Sequence, residues 1–406
     1  MRNTGDGIFN KLLNRELITI IVIIGIANMA MAILQPMMPL YLTSIDITPS
    51  LIGLMLATGM VGMVFGESGG GWLADKIGLK IPLSIGTFLC APLVLSFVFT
   101  RNVPSIFMLF FFWGIVRSAI FGPGRGYISN RATLYNKATL IAIFMTTQSV
   151  ARNLGSLASG YVADNFGYDW NFYLAVGCSI VAGFLVIFGL NKMPLFKDNA
   201  RAAPLTPLEK PDVPKQGINY RLFIIQCIIV ILFLFGPGVN SFLPLVATEV
   251  VGVTATEVGI LYTITGVVST VFLIPMGRLA DRGNKKMLMV VGILLSVISL
   301  AGIGYAGSFP VLVLFSIIGS LSFVMYGPAA VAMLSNTMPA YWQNTAMGIY
   351  GAAEDIGIIL GSGAGGFVWN AGGPTAVYLM GGAACVAGAI ICLGFLRGEA
   401  VNRRPA

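Results

Sequence analysis

Twelve apolar runs, each about 20 residues or longer, recur along this 406-residue chain, and that supply of long apolar segments leaves few folds open. A helix rising 1.5 Å per residue needs about 20 such residues to cross roughly 30 Å of hydrocarbon. The runs cover 17–42, 50–73, 81–100, 104–129, 139–163, 171–191, 221–246, 254–276, 287–306, 309–334, 345–370 and 374–396. They are continuous rather than alternating, which predicts helices and not barrel strands. Charged residues make up only 10% of the chain. A water-soluble domain carries about 25%, so a solvated surface cannot be built from this supply. The bilayer is the expected solvent.

Twenty-four Lys and Arg against sixteen Asp and Glu give a net charge of +8. A basic chain can mean nucleic acid, but these cations sit in short loops beside apolar runs, which is a topology signal. An even number of spans puts both termini on one face. That face collects twenty Lys/Arg, whereas the opposite loops hold only Arg101. Both termini are therefore expected in the cytoplasm, with the chain embedded in an inner or plasma membrane. Residues 1–16 are polar and the run that follows is too long for a signal peptide, so the first helix is expected to remain as an anchor.

Residues 193–220 interrupt the pattern with five prolines among charged residues, the composition of an extended linker. The expected organisation is a six-helix bundle over 1–192, a cytoplasmic linker over 193–220 and a second six-helix bundle over 221–406. The chain has no His, which removes His-built metal sites and His proton relays. Cys90, Cys178, Cys227, Cys385 and Cys392 lie inside apolar runs without CxxC spacing and are expected as small apolar filler. No metal, cofactor or nucleic-acid partner is expected. No enzymatic activity is expected either, since Asp and Ser lack any His partner.

The two halves overlay at a single offset of 206 residues. Gly53 matches Gly259, and Gly71, Leu73, Ala74 and Asp75 match Gly277, Leu279, Ala280 and Asp281. Lys80 matches Lys286, Ser129-Asn130 matches Ser335-Asn336, Gly155-Ser156 matches Gly361-Ser362, and Gly160 matches Gly366. One constant offset is hard to obtain from shared membrane composition, so the halves are read as a duplication.

The loop after the second run reads Gly71-Trp72-Leu73-Ala74-Asp75-Lys76-Ile77-Gly78-Leu79-Lys80. It resembles the GxLaDrxGrk signature between the second and third helices of the major facilitator superfamily. The second half repeats it as Gly277-Arg278-Leu279-Ala280-Asp281-Arg282-Gly283-Asn284-Lys285-Lys286, with the second Gly out of register. The resemblance spans essentially the whole chain. It implies an all-α membrane fold of twelve transmembrane helices in two pseudo-symmetric six-helix bundles. It also implies alternating access, with Gly71, Asp75, Gly78, Lys80, Gly277, Asp281 and Arg282 as a gating motif that latches the halves in one state.

Six ionisable residues fall well inside the runs: Glu67, Arg117, Arg125, Arg152, Glu354 and Asp355. Each costs at least about 2.5–3.5 kcal/mol in the bilayer, so each is a candidate for substrate or proton binding. By the resemblance, none lies on a helix that faces lipid. Arg117, followed by Gly122-Pro123-Gly124, is similar to the superfamily's fourth-helix motif, whose Arg is associated with proton coupling in proton-coupled members. Glu354 and Asp355 are about 100° apart around a helix, so both cannot face one cavity squarely. Glu354 shares a stripe with Gly357, Gly361 and Gly365, and the second run carries a similar stripe at Gly62, Gly66 and Gly70. Such stripes permit close backbone approach. In the superfamily's fold, helices 2 and 11 meet across the halves, so a sliding inter-half contact flanked by acids is expected there.

Exporting members carry GxxxGPxxGG in the fifth helix. Here Ala151-x-x-x-Gly155-Ser156-x-x-Ser159-Gly160 departs from it, while Gly357-x-x-x-Gly361-Ser362-x-x-Gly365-Gly366 lacks only the Pro, in the other half. Abundant Met and Phe in candidate cavity helices suit varied ligands. The leading expectation is therefore proton-coupled export of small amphipathic or drug-like compounds. The partners expected are a small-molecule substrate, the proton and membrane lipid, with the chain a monomer. A carrier of an organic anion or metabolite, motivated by the three Arg, is the alternative. A receptor or lipid-handling protein on the same scaffold is a third.

Overall fold

The structure is a computed structural model that describes residues 15–77, 80–131, 137–189, 219–339 and 342–396. Among them the chain is all-α. The helices are α1 (Arg15–Ser44), α2 (Pro49–Ile77), α3 (Lys80–Phe99), α4 (Val103–Arg131), α5 (Lys137–Phe166), α6 (Tyr168–Gly189), α7 (Tyr220–Val239), α8 (Ala255–Arg282), α9 (Lys285–Gly304), α10 (Phe309–Thr337) and α11 (Gln343–Phe395). Short helical turns carry α7 onward to Val250, the last five residues of which form a π-helix.

Eleven long helices thus stand among the described residues where twelve were expected. The difference lies in α11, whose 53 residues are two helical arms joined across a kink at Gly373, the boundary expected between the last two spans. Its one non-helical residue is Gly373, at φ 75°. Among the described residues, eight helices are long and apolar enough to cross a bilayer, and Leu83–Phe99 and Val103–Ser118 are shorter apolar stretches. The expected fifth span is helical, but Thr146, Thr147, Gln148, Ser149, Arg152 and Asn153 make its middle polar.

The helix starts follow local chemistry. Thr254 and Glu257 form a reciprocal capping box at the head of α8. Asn219 and Asn284 accept from the backbone amides of Leu222 and Met287, heading α7 and α9.

The 206-residue repeat extends into the backbone. α4 covers 103–131 and α10 covers 309–337, the same limits shifted by 206. Positive φ occurs at Asp46, Gly167, Gly252 and Gly373, and these four form two pairs at that same offset. Gly167 separates α5 from α6, so the two arms of α11 about Gly373 are their counterparts. Side chains repeat as well. The Lys80 ammonium donates to the Ile187 carbonyl at 2.9 Å, and Lys286 donates to Leu393 at 2.8 Å. Each places a cation on the last turn of a helix, where orphan carbonyls and the helix dipole favour it.

By contacts the chain divides into two compact units, Met1–Met38 with Val61–Thr206, and Pro39–Met60 with Pro207–Ala406. The end of α1 and the first turns of α2 therefore pack in the second unit. There a Cβ on Gly53 would collide with the Ser362 carbonyl, and one on Gly366 with that of Pro49. The Asn370 amide donates to the Ser50 hydroxyl at 2.9 Å.

Candidate functional site

In the second unit, three helices bring polar side chains together in an apolar bundle. Tyr326 on α10 and Tyr350 on α11 are both buried, with their hydroxyls 3.4 Å apart. Glu354 stands one helical turn beyond Tyr350, on the same face. That position turns its carboxyl to the side of α11 that carries the Tyr350 ring. Phe233 of α7 stacks on the Tyr326 ring with centroids 3.9 Å apart, which holds that ring in place. One further α7 group, Gln226, is 2% exposed and donates to the Thr337 hydroxyl at 3.5 Å. Its carbonyl oxygen has no hydrogen-bond partner among the described residues. Asp355, the next residue along α11, is half-buried as well.

The glycine stripe places Glu354. A Cβ on Gly357 would lie 2.6 Å from the Ile231 carbonyl oxygen, and one on Gly361 would collide with that of Phe235. Gly365 meets the Phe242 ring. The stripe thus seats α11 on α7 within the second unit, and Glu354 rides on its edge. The stripe is therefore not what forms the expected contact between the second and eleventh helices; α2 and α11 do meet, but through Gly53 against Ser362 and Gly366 against Pro49 and Ser50. The stripe of α2 behaves likewise: Gly62 fits against the Phe111 carbonyl and Gly66 against Ile115 and Ser118, all on α4. Small residues permit close approach to any backbone that topology supplies, and here each stripe takes a neighbour in its own unit.

In the first unit the polar groups are Asn28, Gln148, Arg152 and Arg117. Asn28 on α1 is 8% exposed and its amide donates to the Gln148 side chain on α5. Arg152 follows Gln148 by one turn, is exposed and donates to the Ser149 hydroxyl at 3.3 Å. Arg117 is half-buried on α4, its guanidinium 5.9 Å from the centre of the Trp113 ring. Close packing of α5 on α1 comes from Gly155, whose added Cβ would lie 2.7 Å from the Met29 carbonyl oxygen. Gly361 and Phe235 are the same pair 206 residues later.

Glu67 and Arg125 lie in α2 and α4, but their side chains fall outside the described residues. So do those of Asp75, Asp281 and Arg282, as does Gly71 beyond its helical backbone; Gly78 is outside altogether. Gly277 has open space where a Cβ would go. Of the six candidate charges, the structure brings Glu354 and Asp355 together in one unit and places Arg117 and Arg152 in the other. Sequence reasoning missed Asn28, Gln148, Gln226, Tyr326 and Tyr350. Amides inside apolar runs were a usable signal for the first three, since each must find a partner away from water. Among the described residues, no cluster of metal-ligating side chains occurs.

The Major Facilitator Superfamily model matches residues 20–247 and 222–406. Multidrug resistance protein 2 of Bacillus subtilis is 22% identical over 351 residues, covering 86% of this chain and 87% of its own. Quinolone resistance protein NorA of Staphylococcus aureus is 23% identical over 327 residues, 80% of this chain and 82% of its own. The crystal structure of nucleoside transporter NupG superposes with a TM-score of 0.75 at 15% identity, covering 94% of this chain and 98% of that one. With matches that together span both halves, a fold shared over nearly the full length and eight helices among the described residues long and apolar enough to cross a bilayer, this chain is an integral membrane protein that belongs to the Major Facilitator Superfamily.

Proposed function

We propose that this transporter is a secondary active carrier working by alternating access, which exports small amphipathic or drug-like compounds in exchange for protons. The observation that carries the reading is the Glu354–Tyr350–Tyr326 cluster in the second unit. A carboxyl among apolar side chains favours its neutral form, and hydration or an approaching cation favours the charged form. Such a group takes up a proton when open to one side and gives it up when open to the other. Glu354 is the proton carrier in this reading, with Asp355 beside it and Glu67 as a candidate acid in α2. Arg117, Arg125, Arg152 and the Asn28–Gln148 pair supply polar contacts from the first half.

The resistance-protein names of two relatives support a drug-like substrate. The signature loops, Gly71–Lys80 and Gly277–Lys286, act as the gate between the bundles 1–192 and 221–406, joined by the linker 193–220. Both termini are cytoplasmic and the working unit is a monomer.

A second reading, exchange of an organic anion, rests on Arg117 and Arg152 as guanidinium contacts for a carboxylate. One experiment separates the two. Purified protein is reconstituted in vesicles with an imposed proton gradient, and uptake of the lipophilic cation ethidium is compared with that of benzoate. The drug-export reading expects ethidium to move against the proton flow and benzoate to stay at the level of empty vesicles. Benzoate accumulation without ethidium movement, lost in Arg117→Ala, would replace it with the anion reading.

A further inference from the structure

A groove of about 550 Å³ opens on the flank of the second unit, between α7 and the second arm of α11. Its walls are Arg221, Ile224, Ile225 and Ile228 on one side and Ile391 and Phe395 on the other. The α7 residues fall at i, i+3, i+4 and i+7, a single stripe down one helix face. Ile391 and Phe395 are one turn apart on the facing arm. Ile224, Ile228 and Phe395 are 54%, 41% and 56% exposed, so the groove is open to its surroundings.

In a bilayer those surroundings are acyl chains. Water entering such a groove would find almost no hydrogen-bond partner along its walls, whereas an acyl chain fills it with matching contacts. Arg221 lies in the first turn of α7, at the end of the apolar run, and is exposed. That puts its guanidinium at headgroup depth while the isoleucines descend about 10 Å into hydrocarbon, seven residues at 1.5 Å each. A guanidinium presents paired N–H donors that fit phosphate oxygens. The lysine and arginine bias of the loops assigns this end to the cytoplasmic leaflet.

We propose that this groove holds an anionic glycerophospholipid, one acyl chain lying along the Ile224–Ile228 stripe and the phosphate paired with Arg221. Both elements are needed. The stripe alone accepts any lipid, and the guanidinium alone accepts any anion.

The full-length protein in detergent, offered equal amounts of phosphatidylglycerol and phosphatidylcholine, tests this by native mass spectrometry of the lipids retained. The expected result is about a fivefold preference for phosphatidylglycerol, the factor that one basic residue at a lipid surface contributes. Arg221→Ala brings the ratio to about one, and Arg221→Lys keeps most of it. Ile228→Trp, which fills the groove without touching the charge, lowers retention of both lipids. Arg101→Ala, remote in sequence and exposed, leaves the preference intact, and glycerol 3-phosphate does not displace bound lipid. Equal retention of the two lipids by the unaltered chain overturns the proposal. So does a preference that survives Arg221→Ala, a preference lost equally in Arg101→Ala, retention unaffected by Ile228→Trp, or displacement by glycerol 3-phosphate.

Discussion

Glu354→Gln is expected to reduce gradient-driven transport to the level of vesicles without protein, while substrate exchange in the absence of a gradient persists. Glutamine keeps the size and hydrogen-bonding reach of glutamate but cannot carry a proton. The substitution leaves the volume of this half-buried side chain unchanged, so the fold has no reason to suffer. The same substitution tests which acid matters. Asp355→Asn, on a neighbouring helix face, is expected to lower transport less, because Asp355 lies off the stripe that turns Glu354 toward the two tyrosines. Tyr350→Phe removes one phenol hydroxyl from the cluster and should shift the pH dependence of transport without abolishing it. Normal gradient-driven transport by both carboxamide variants would remove these acids from the mechanism. Uptake against a gradient is the measurement, with counterflow in its absence as the paired control.

Gly361→Val is expected to lose most folded protein, and Gly155→Val is expected to do the same in the other half. At Gly361 the first added carbon collides with the Phe235 carbonyl and lies 3.0 Å from the Gly238 Cα. At Gly155 it lies 2.7 Å from the Met29 carbonyl oxygen and 2.9 Å from the Ala32 side chain. Both obstacles include backbone, which cannot rotate away as a side chain can. The cost is expected at or beyond the upper end of the roughly 1–3 kcal/mol typical of overpacking. Gly277→Ala, with open space at its Cβ position, serves as the matched control and should fold as well as the parent. Thermal unfolding in detergent, followed by size-exclusion chromatography, reads all three. A Gly361→Val protein as stable as Gly277→Ala would show that α11 and α7 do not pack as described.

Much of this architecture could be read from the chain because bilayer physics is strict. Long apolar runs, loop cations and a constant 206-residue offset are each hard to produce by accident. The structure extends that offset from scattered glycines to helix limits, to the four positive-φ residues and to the carbonyls capped by Lys80 and Lys286. The count of helices turns on one residue. Gly372-Gly373-Pro374 reads as a break between spans, and there the backbone of Gly373 leaves helical geometry, with a helical arm on either side. The glycine stripes were visible but their partners were not, since a row of small residues says that something comes close and does not say what.

The candidate site divides in the same way. Glu354 and Asp355 stood out because charge in hydrocarbon is costly. Tyr326 and Tyr350 did not, because tyrosine is at ease in an apolar helix and only the fold brings residues 24 apart within reach of each other. Asn28 and Gln148, 120 residues apart, pair for the same reason. Neither pairing has a periodicity in sequence, and both depend on which helices become neighbours.

Alternating access requires that the position of Glu354 open to each face of the membrane in turn. In a chain whose five native cysteines are replaced by serine or alanine, Glu354→Cys can be challenged with a membrane-impermeant thiol reagent from either face of sealed vesicles. Reaction from both faces is expected, with substrate or a pH gradient raising one rate as it lowers the other. Reaction from one face under every condition, or from neither, would contradict it.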